Sequence, residues 1–376
     1  MDNMKILKKT WYIIWNYRTL WIFGFILALT IGGVSSGLGS NSGYRFNNNP
    51  NIQNNINFPA WVERPFQSPQ AFVETLMNID HTVRKAIDSQ PEIGTFATFV
   101  VVFLILMVFF SIAMKVLGYV SETAVIRMVD EFESTSRKMT IREGFKQGWS
   151  ITSWRLFLID LLTVTLPGLI FITLLGSLIW GGVSLGINIG TTQGWVFSAF
   201  FLVGSIFLTV FLFSIYFICV NLLRNFFIRS CALEQEGVNA SIIKGYALVR
   251  ANWKNVGLFW LILIGLGIAW SIVSFLLLIL LIPFFVVSSI LAALVASVPG
   301  LLLGGVASIF MTGYWPIVVG VLFGLPIFIP LAGSPILFFE GLVQLFKSAS
   351  WTLVYREVKS FIPALTSDVG IDLEGK

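Results

Sequence analysis

Apolar residues dominate this chain in unbroken stretches. Residues 255–339 contain no Asp, Glu, Lys or Arg, and the runs 161–223 and 19–44 are equally free of charge. A water-soluble fold needs a charged surface, so runs of this length are solvated by lipid. A helical span takes about 20 apolar residues. The pattern predicts six: 20–36, 96–116, 156–180, 195–220, 256–281 and 336–353. The predicted fold class is an all-α integral membrane protein of about six transmembrane helices.

The stretch 283–335 is apolar throughout but interrupted by Pro283, Pro299-Gly300, Pro316, Pro326, Pro330 and Pro335. Proline ends or kinks a helix, which predicts broken, partly re-entrant helices on the outer side, buried against protein. Two additional short spans in the same stretch, eight in all, would keep the same parity.

Shorter segments alternate at helical spacing. Met4–Tyr17 is amphipathic and aromatic, with Trp11, Tyr12, Trp15 and Tyr17 beside Lys5, Lys8 and Lys9. It reads as an interfacial helix leading into the first span; the alternative is a signal peptide cleaved near Ser35–Gly37. Beyond the Asn/Gly/Ser-rich stretch 39–57, Ser68-Pro69 reads as an N-cap and first helical residue. Phe72, Leu76, Ile79, Val83 and Ile87 then form an apolar stripe, predicting a surface helix within the outer loop 37–95.

The pattern recurs three times. An amphipathic segment (4–15, 141–151, 242–251) precedes a polar–aromatic–basic tripeptide, and a span follows. The tripeptides are Asn16-Tyr17-Arg18, Ser153-Trp154-Arg155 and Asn252-Trp253-Lys254. Each return span closes on apolar-apolar-Arg: Val125-Ile126-Arg127, Phe227-Ile228-Arg229 and Val354-Tyr355-Arg356. The reading is three helical-hairpin repeats, 1–131, 132–233 and 234–360, followed by a tail, 361–376. Aromatic rings at headgroup level and snorkelling Arg or Lys explain the residue types. Tyr17, Arg18, Trp154, Arg155, Trp253, Lys254, Arg127, Arg229 and Arg356 are therefore the expected interfacial anchors.

Composition and charge sharpen this. The chain is 56% hydrophobic and 11% charged, with mean hydropathy +0.85. Its net charge of +5 is not spread as for nucleic acid. Segments 1–18, 115–155, 224–254 and 347–376 carry 4, 7, 5 and 4 Lys/Arg, together 20 of the 24. By the positive-inside rule these face the cytoplasm, placing both termini there in a cell inner membrane. Cys219 and Cys231 would lie roughly 18 Å apart on one helix and cannot pair with each other.

The run Ile126-Arg127 through Ile141-Arg142-Glu143-Gly144-Phe145 to Trp154-Arg155-Leu156, and its second version over 226–258, resemble the membrane domain of glycerophosphoryl diester phosphodiesterases and related bacterial proteins of unknown function. The resemblance implies a basic helix end, a short acidic turn, an amphipathic helix and a Trp/Asn-basic lead into a span. In that family the phosphodiesterase chemistry belongs to a separate soluble domain, so the resemblance implies no catalytic residue here.

Candidate chemistry is sparse. The only His is His81, in the outer surface helix, which leaves no zinc-protease pair, no paired haem ligands and no basis for a Ser–His–Asp triad. Phosphate-binding loop and nucleophile-elbow patterns are missing. Neither an enzyme nor a cofactor is expected. Gly300–Gly305 and Gly320–Gly324 read as close helix packing or helix breaks. Glu340 would stand roughly 24 Å from Arg356 along a continuous helix, in the outer half of the last span. A carboxylate there is either a transport site or a boundary or protonated group. Asp160, near the inner edge of the third span, reads as an ion pair or a contact to another repeat, with transport the alternative. The loop 122–146 reads as a solvated helix–turn–helix or a docking element for lipid or a partner.

Two functions remain. One is a non-enzymatic scaffold or lipid-interacting accessory subunit, with membrane lipids and either a membrane-protein partner or a second copy as company. The other is a small-solute or lipid transporter with its site near Glu340.

Overall fold

The computed structural model describes residues 2–30, 91–189 and 192–361, and these residues form helices joined by short turns, with no strand among them. The predicted helix in the loop 37–95, His81 and most of the tail lie outside the described residues. In chain order the helices are α1 (Asn3–Asn16), α2 (Leu20–Leu29), α3 (Pro91–Thr135), α4 (Ile141–Gly148), α5 (Ile151–Asp160), α6 (Leu166–Ile189), α7 (Thr192–Glu234), α8 (Val238–Ala251), α9 (Trp253–Leu280), α10 (Ile282–Ala307), α11 (Trp315–Ala332) and α12 (Ser334–Ser360). The protein is an all-α, multi-span membrane protein.

Local chemistry sets the helix ends. The Asp2 side chain accepts from the Lys5 amide and caps α1, which meets α2 at 102°. Thr140 and Glu143 form a reciprocal capping box that starts α4. Ser136 and Gln235, just past α3 and α7, sit at φ 57° and 56°, the left-handed conformation that stops a helix. Between α5 and α6, Leu161–Thr165 widens to a π-helix just before Pro167. Proline has no N–H to give the Thr163 carbonyl four residues back. The Tyr216 hydroxyl on α7 donates to that carbonyl instead, at 3.2 Å. A freed carbonyl in lipid needs such a substitute.

Among the described residues, six helical stretches are long and apolar enough to cross a membrane: Gly94–Thr135, Ile151–Ser184, Val196–Glu234, Trp253–Leu280, Ile282–Ala307 and Trp315–Ala332. Four coincide with expected spans, but the set differs at both chain ends. Of the first expected span only residues 20–30 are described, and α1 with α2 qualifies only as a bent pair. The last, α12, carries Glu340, Lys347, Arg356, Glu357 and Lys359.

The proline-rich stretch forms two continuous helices of span length, which fits the alternative of two additional spans rather than broken helices. Pro283, Pro316 and Pro335 occupy first-turn positions, where the missing N–H costs nothing, while Pro299, Pro326 and Pro330 are carried inside helices. The two helices pair through small residues. A Cβ added to Gly300 would lie 2.9 Å from the Gly320 carbonyl oxygen, and one on Gly324 3.1 Å from that of Ala296. This is the close backbone approach expected of those glycines. On straight helices Phe103 and Phe96 stand roughly 36 and 46 Å from Arg127. Phe323 meets the first ring at 5.2 Å and Trp315 the second at 4.7 Å. The α10–α11 tip therefore faces the far end of α3 and does not return to the charged end. Nor is the hairpin buried against protein: Leu301, Ile309 and Ile317 are among its many exposed apolar side chains.

The buried core sits at the opposite, charged end. There the last turns of α3, α7 and α12 touch one another, and α1, α4 and α8 lie against them. Ile13, Leu20, Phe23, Met128, Val256, Phe259, Leu345 and Tyr355 fill this base. Helix α4 packs on α3, α8 on α7, and α1 on α12. Helices α2 and α12 cross in backbone contact, since a Cβ on Gly24 would fall 2.7 Å from the Gly341 oxygen.

Candidate functional site: a buried charge network and two lateral grooves

The base holds the polar side chains. Glu122 on α3 and Arg229 on α7 are both fully buried, with Nη2 3.5 Å from Oε1. Ser348 of α12 completes the centre: its hydroxyl donates to Glu122 Oε1 at 3.0 Å, and its carbonyl accepts from Arg229 Nη2 at 3.1 Å. Arg229 Nη1 donates to the Asn225 carbonyl at 3.0 Å. Each of the three long helices thus supplies one member of a buried polar contact. Glu122 Oε2 and Arg229 Nε have no hydrogen-bond partner among the described residues.

A second pair lies beside it. Asp160 at the end of α5 holds Arg224 of α7 at 2.7 Å and accepts from the Tyr119 hydroxyl of α3 at 2.5 Å. At the rim, Glu234 accepts from Tyr355 at 2.5 Å and from Lys359 at 2.8 Å, joining α7 to α12, with Lys244 of α8 3.7 Å away.

The return-helix arginines act as ties. Arg127 donates to the Ala232 carbonyl at 3.1 Å, the Gln147 carbonyl at 3.0 Å and the Thr152 hydroxyl at 2.7 Å. Arg356 bonds the Asp130 carbonyl at 3.0 Å and its carboxylate at 2.5 Å. Two of the three contacts are equivalent by position: each arginine reaches the carbonyl three residues beyond the arginine of another helix. Arg229 is fully enclosed, while Arg127 and Arg356 are part-buried and spend guanidinium donors on neighbouring helices. Arg155 likewise donates to the Gln235 and Glu236 carbonyls, at 2.5 and 3.0 Å. Tyr17 is buried, its hydroxyl donating to the Met139 carbonyl at 2.8 Å. Trp154, Trp253 and Arg18 are exposed, and Lys254 stands 5.8 Å from the Trp253 ring centroid.

Glu340 is partly buried on α12 and accepts from Trp270 Nε1 of α9 at 3.4 Å. It belongs to no cluster with Asp160. Among the described residues no group of three or more His, Cys, Asp or Glu could hold a metal ion.

Glu122 and Arg224 were not singled out by sequence, and the solvated reading of the loop fails at its first residue, since Glu122 is fully enclosed. A signal existed. Ser121, Thr123 and Ala124 flank Glu122, and Ser348-Ala349-Ser350 faces it, and such small side chains mark helices in close contact.

Among the described residues, three cavities lie between helices. One, of about 610 Å³, lies between α3 and the α4–α5 corner, lined by Lys115, Tyr119, Trp149, Trp154 and Phe157 among others. Another, of about 440 Å³, lies between α1, α9 and α12, with Trp11, Trp15, Trp270 and Lys347 in its wall. The third, about 410 Å³, follows the α10–α11 seam. None is lined by Glu122, Arg229, Asp160 or Glu340.

Residues 15–346 match the model of a family of unknown function, DUF7544, and the chain belongs to that family. No curated protein and no solved structure matches it. The family description makes no link to the membrane domains of glycerophosphoryl diester phosphodiesterases.

Proposed function

We propose that this protein is a non-enzymatic integral membrane protein, a scaffold or lipid-interacting accessory subunit of a membrane assembly. One observation carries the reading: its convergent charged side chains hold helices to one another, while the cavities open laterally among apolar residues. A transport site would instead bring ionisable groups to the wall of a polar passage.

Three hairpin repeats belong to the same proposal. What supports them is the packing of each amphipathic lead on the preceding return helix, with α1 closing the circle on α12. The glycines shared by the two internal leads support it too. A Cβ on Gly144 would meet Met128 at 2.6 Å, and one on Gly245 would meet Phe227 at the same distance, both beside a return-helix arginine. The likeness to phosphodiesterase membrane domains stays within this proposal, as do cytoplasmic termini in a cell inner membrane, supported by the basic residues of the base.

Transport is the second reading, favoured by one observation: Glu340 sits far from the base with, among the described residues, only the Trp270 indole as hydrogen-bond partner. The test is purification in mild detergent with mass spectrometry of everything retained, alongside flux assays of Glu340→Gln. A stoichiometric protein partner, or a defined lipid with flux indifferent to Glu340→Gln, supports the scaffold. Loss of a measured flux in well-expressed Glu340→Gln overturns it in favour of transport.

A further inference from the structure

The cavity between α1, α9 and α12 has a polarity along its length. Its wall on α9 runs from Leu263 to Leu277, about 21 Å of helix, against a leaflet hydrocarbon depth of about 15 Å. Lys347 stands nine residues before Arg356, roughly 13 Å from the base, and Leu263 is ten residues beyond Trp253. The lysine is therefore level with the lower end of the cavity. Trp11 and Trp15 project there from α1, and Trp11 reaches Phe346 with 6.4 Å between ring centroids. Above, Leu266, Val273, Leu277, Phe339 and Val343 make the wall apolar.

Among the described residues Lys347 joins no hydrogen bond and no ion pair within 4 Å. The carboxylate acting on it is Glu340, two turns further up the same helix. A cation at the foot of an apolar channel orients an amphiphile one way: negative head down, chain up. Tryptophan at the foot belongs to the same depth, because its amphipathic ring prefers the headgroup region.

We propose that this groove is a binding site for an anionic glycerophospholipid, its phosphate on Lys347 between Trp11 and Trp15 and one acyl chain along α9. The site deepens the lipid-interacting reading and rests on it. The cavity at α3 repeats the arrangement, with Lys115 beside Trp149 and Trp154 between a return helix and the lead that follows it. At the corresponding positions of α7, nine and twelve residues before Arg229, stand Val220 and Phe217, so the third junction offers no cation.

Gly267 makes the site testable without disturbing the fold. It lines the groove, and a Cβ built on it meets nothing within 4 Å. The experiment places the full chain in nanodiscs of equal phosphatidylglycerol and phosphatidylcholine and reads, by native mass spectrometry, the lipids that stay bound on release. Wild type should retain phosphatidylglycerol about fivefold over phosphatidylcholine at the last-released site, the contribution of one lysine near a membrane surface. Lys347→Gln should lower that preference to what the Lys115 cavity supplies, and Lys347→Arg should keep it. Gly267→Leu should lower retention of both lipids. An unchanged preference in Lys347→Gln, or unchanged retention in a folded Gly267→Leu, overturns the site. The scaffold reading then still stands if a protein partner is retained, whereas loss of flux in Glu340→Gln sinks that reading whatever the lipid result.

Discussion

The base and the far tier of this molecule are built from the same helices but held by different forces. In α3, residues from Val101 to Val116 turn large apolar side chains outward, while from Tyr119 to Val129 nearly every side chain is enclosed. Helix α7 changes in the same way, from the exposed Phe200, Phe207 and Phe211 to the buried Phe226, Ile228 and Cys231. Lipid chains are as apolar as leucine, so nothing drives Leu or Phe off the lipid surface in the far tier. Helices meet there through small residues, as at Gly300 and Gly320, or through a single polar contact. At the base, water is near, burial stabilises, and short helices are fastened over the ends of long ones. The difference teaches where this protein keeps its specificity: in the base, where three helices must find one another by charge.

The sharpest way to break the comparison is to remove one member of the central network. Arg229→Ala leaves Glu122 as an uncompensated buried charge and should cost about 3–5 kcal/mol, read as lost thermal stability in detergent. Arg229→Met combined with Glu122→Gln should recover much of it, since no charge is then left alone. If the single variant melts like wild type, the base is not the stable region.

Next in size is the α2–α12 crossing. Gly341→Val forces two backbones apart and should cost about 1–3 kcal/mol, whereas Gly265→Val on α9, where a Cβ meets nothing, should change little. Equal effects at the two positions would erase the distinction between packed and lipid-facing helix.

A smaller loss, about 1 kcal/mol, is expected for Thr140→Ala, which uncaps α4. Glu143 provides a pH signature for the same element. Hydrogen bonds from the Thr140 amide and hydroxyl, with Arg137 nearby, hold its carboxyl below the usual range. A depressed folded value means the contribution is present above the unfolded carboxylate range and fades as pH falls through the folded one. Protection of the α4 amides from hydrogen exchange should drop with acid in wild type and be flat in Glu143→Gln.

The smallest effect belongs to the far tier. Tyr216→Phe strips the Thr163 carbonyl of its donor and should cost about 0.6 kcal/mol, the usual size of a hydrogen bond between membrane helices. A loss as large as that of Arg229→Ala would show that the spans, too, depend on polar contacts.

Much of this architecture was legible in the pattern of residues. The uncharged runs located four long spans, and alternation located α1, α4 and α8, because a helix at an interface must write its two faces into its sequence. The glycine runs of α10 and α11 allow close packing or helix breaks in sequence, and the structure decides for packing. Proline left two arrangements open: at Pro283, Pro316 and Pro335 it starts helices, and a first-turn proline looks the same in sequence as a helix breaker. An Arg after two apolar residues at a span end suits a headgroup, and nothing local shows that Arg127 also reaches Ala232, 105 residues away.

Sequence alone determined that the chain lives in a membrane, that its charges gather at one end of its long helices, and which faces of its short helices are apolar. These follow from local solvation, which each residue type carries with it. Only the tertiary structure decided that Glu122, Arg229 and Ser348 meet, that Asp160 answers Arg224 and Tyr119, and that Lys347 stands at the foot of an apolar groove. Those outcomes depend on which helices touch, and that is set by the sum of many weak contacts between residues far apart in the chain.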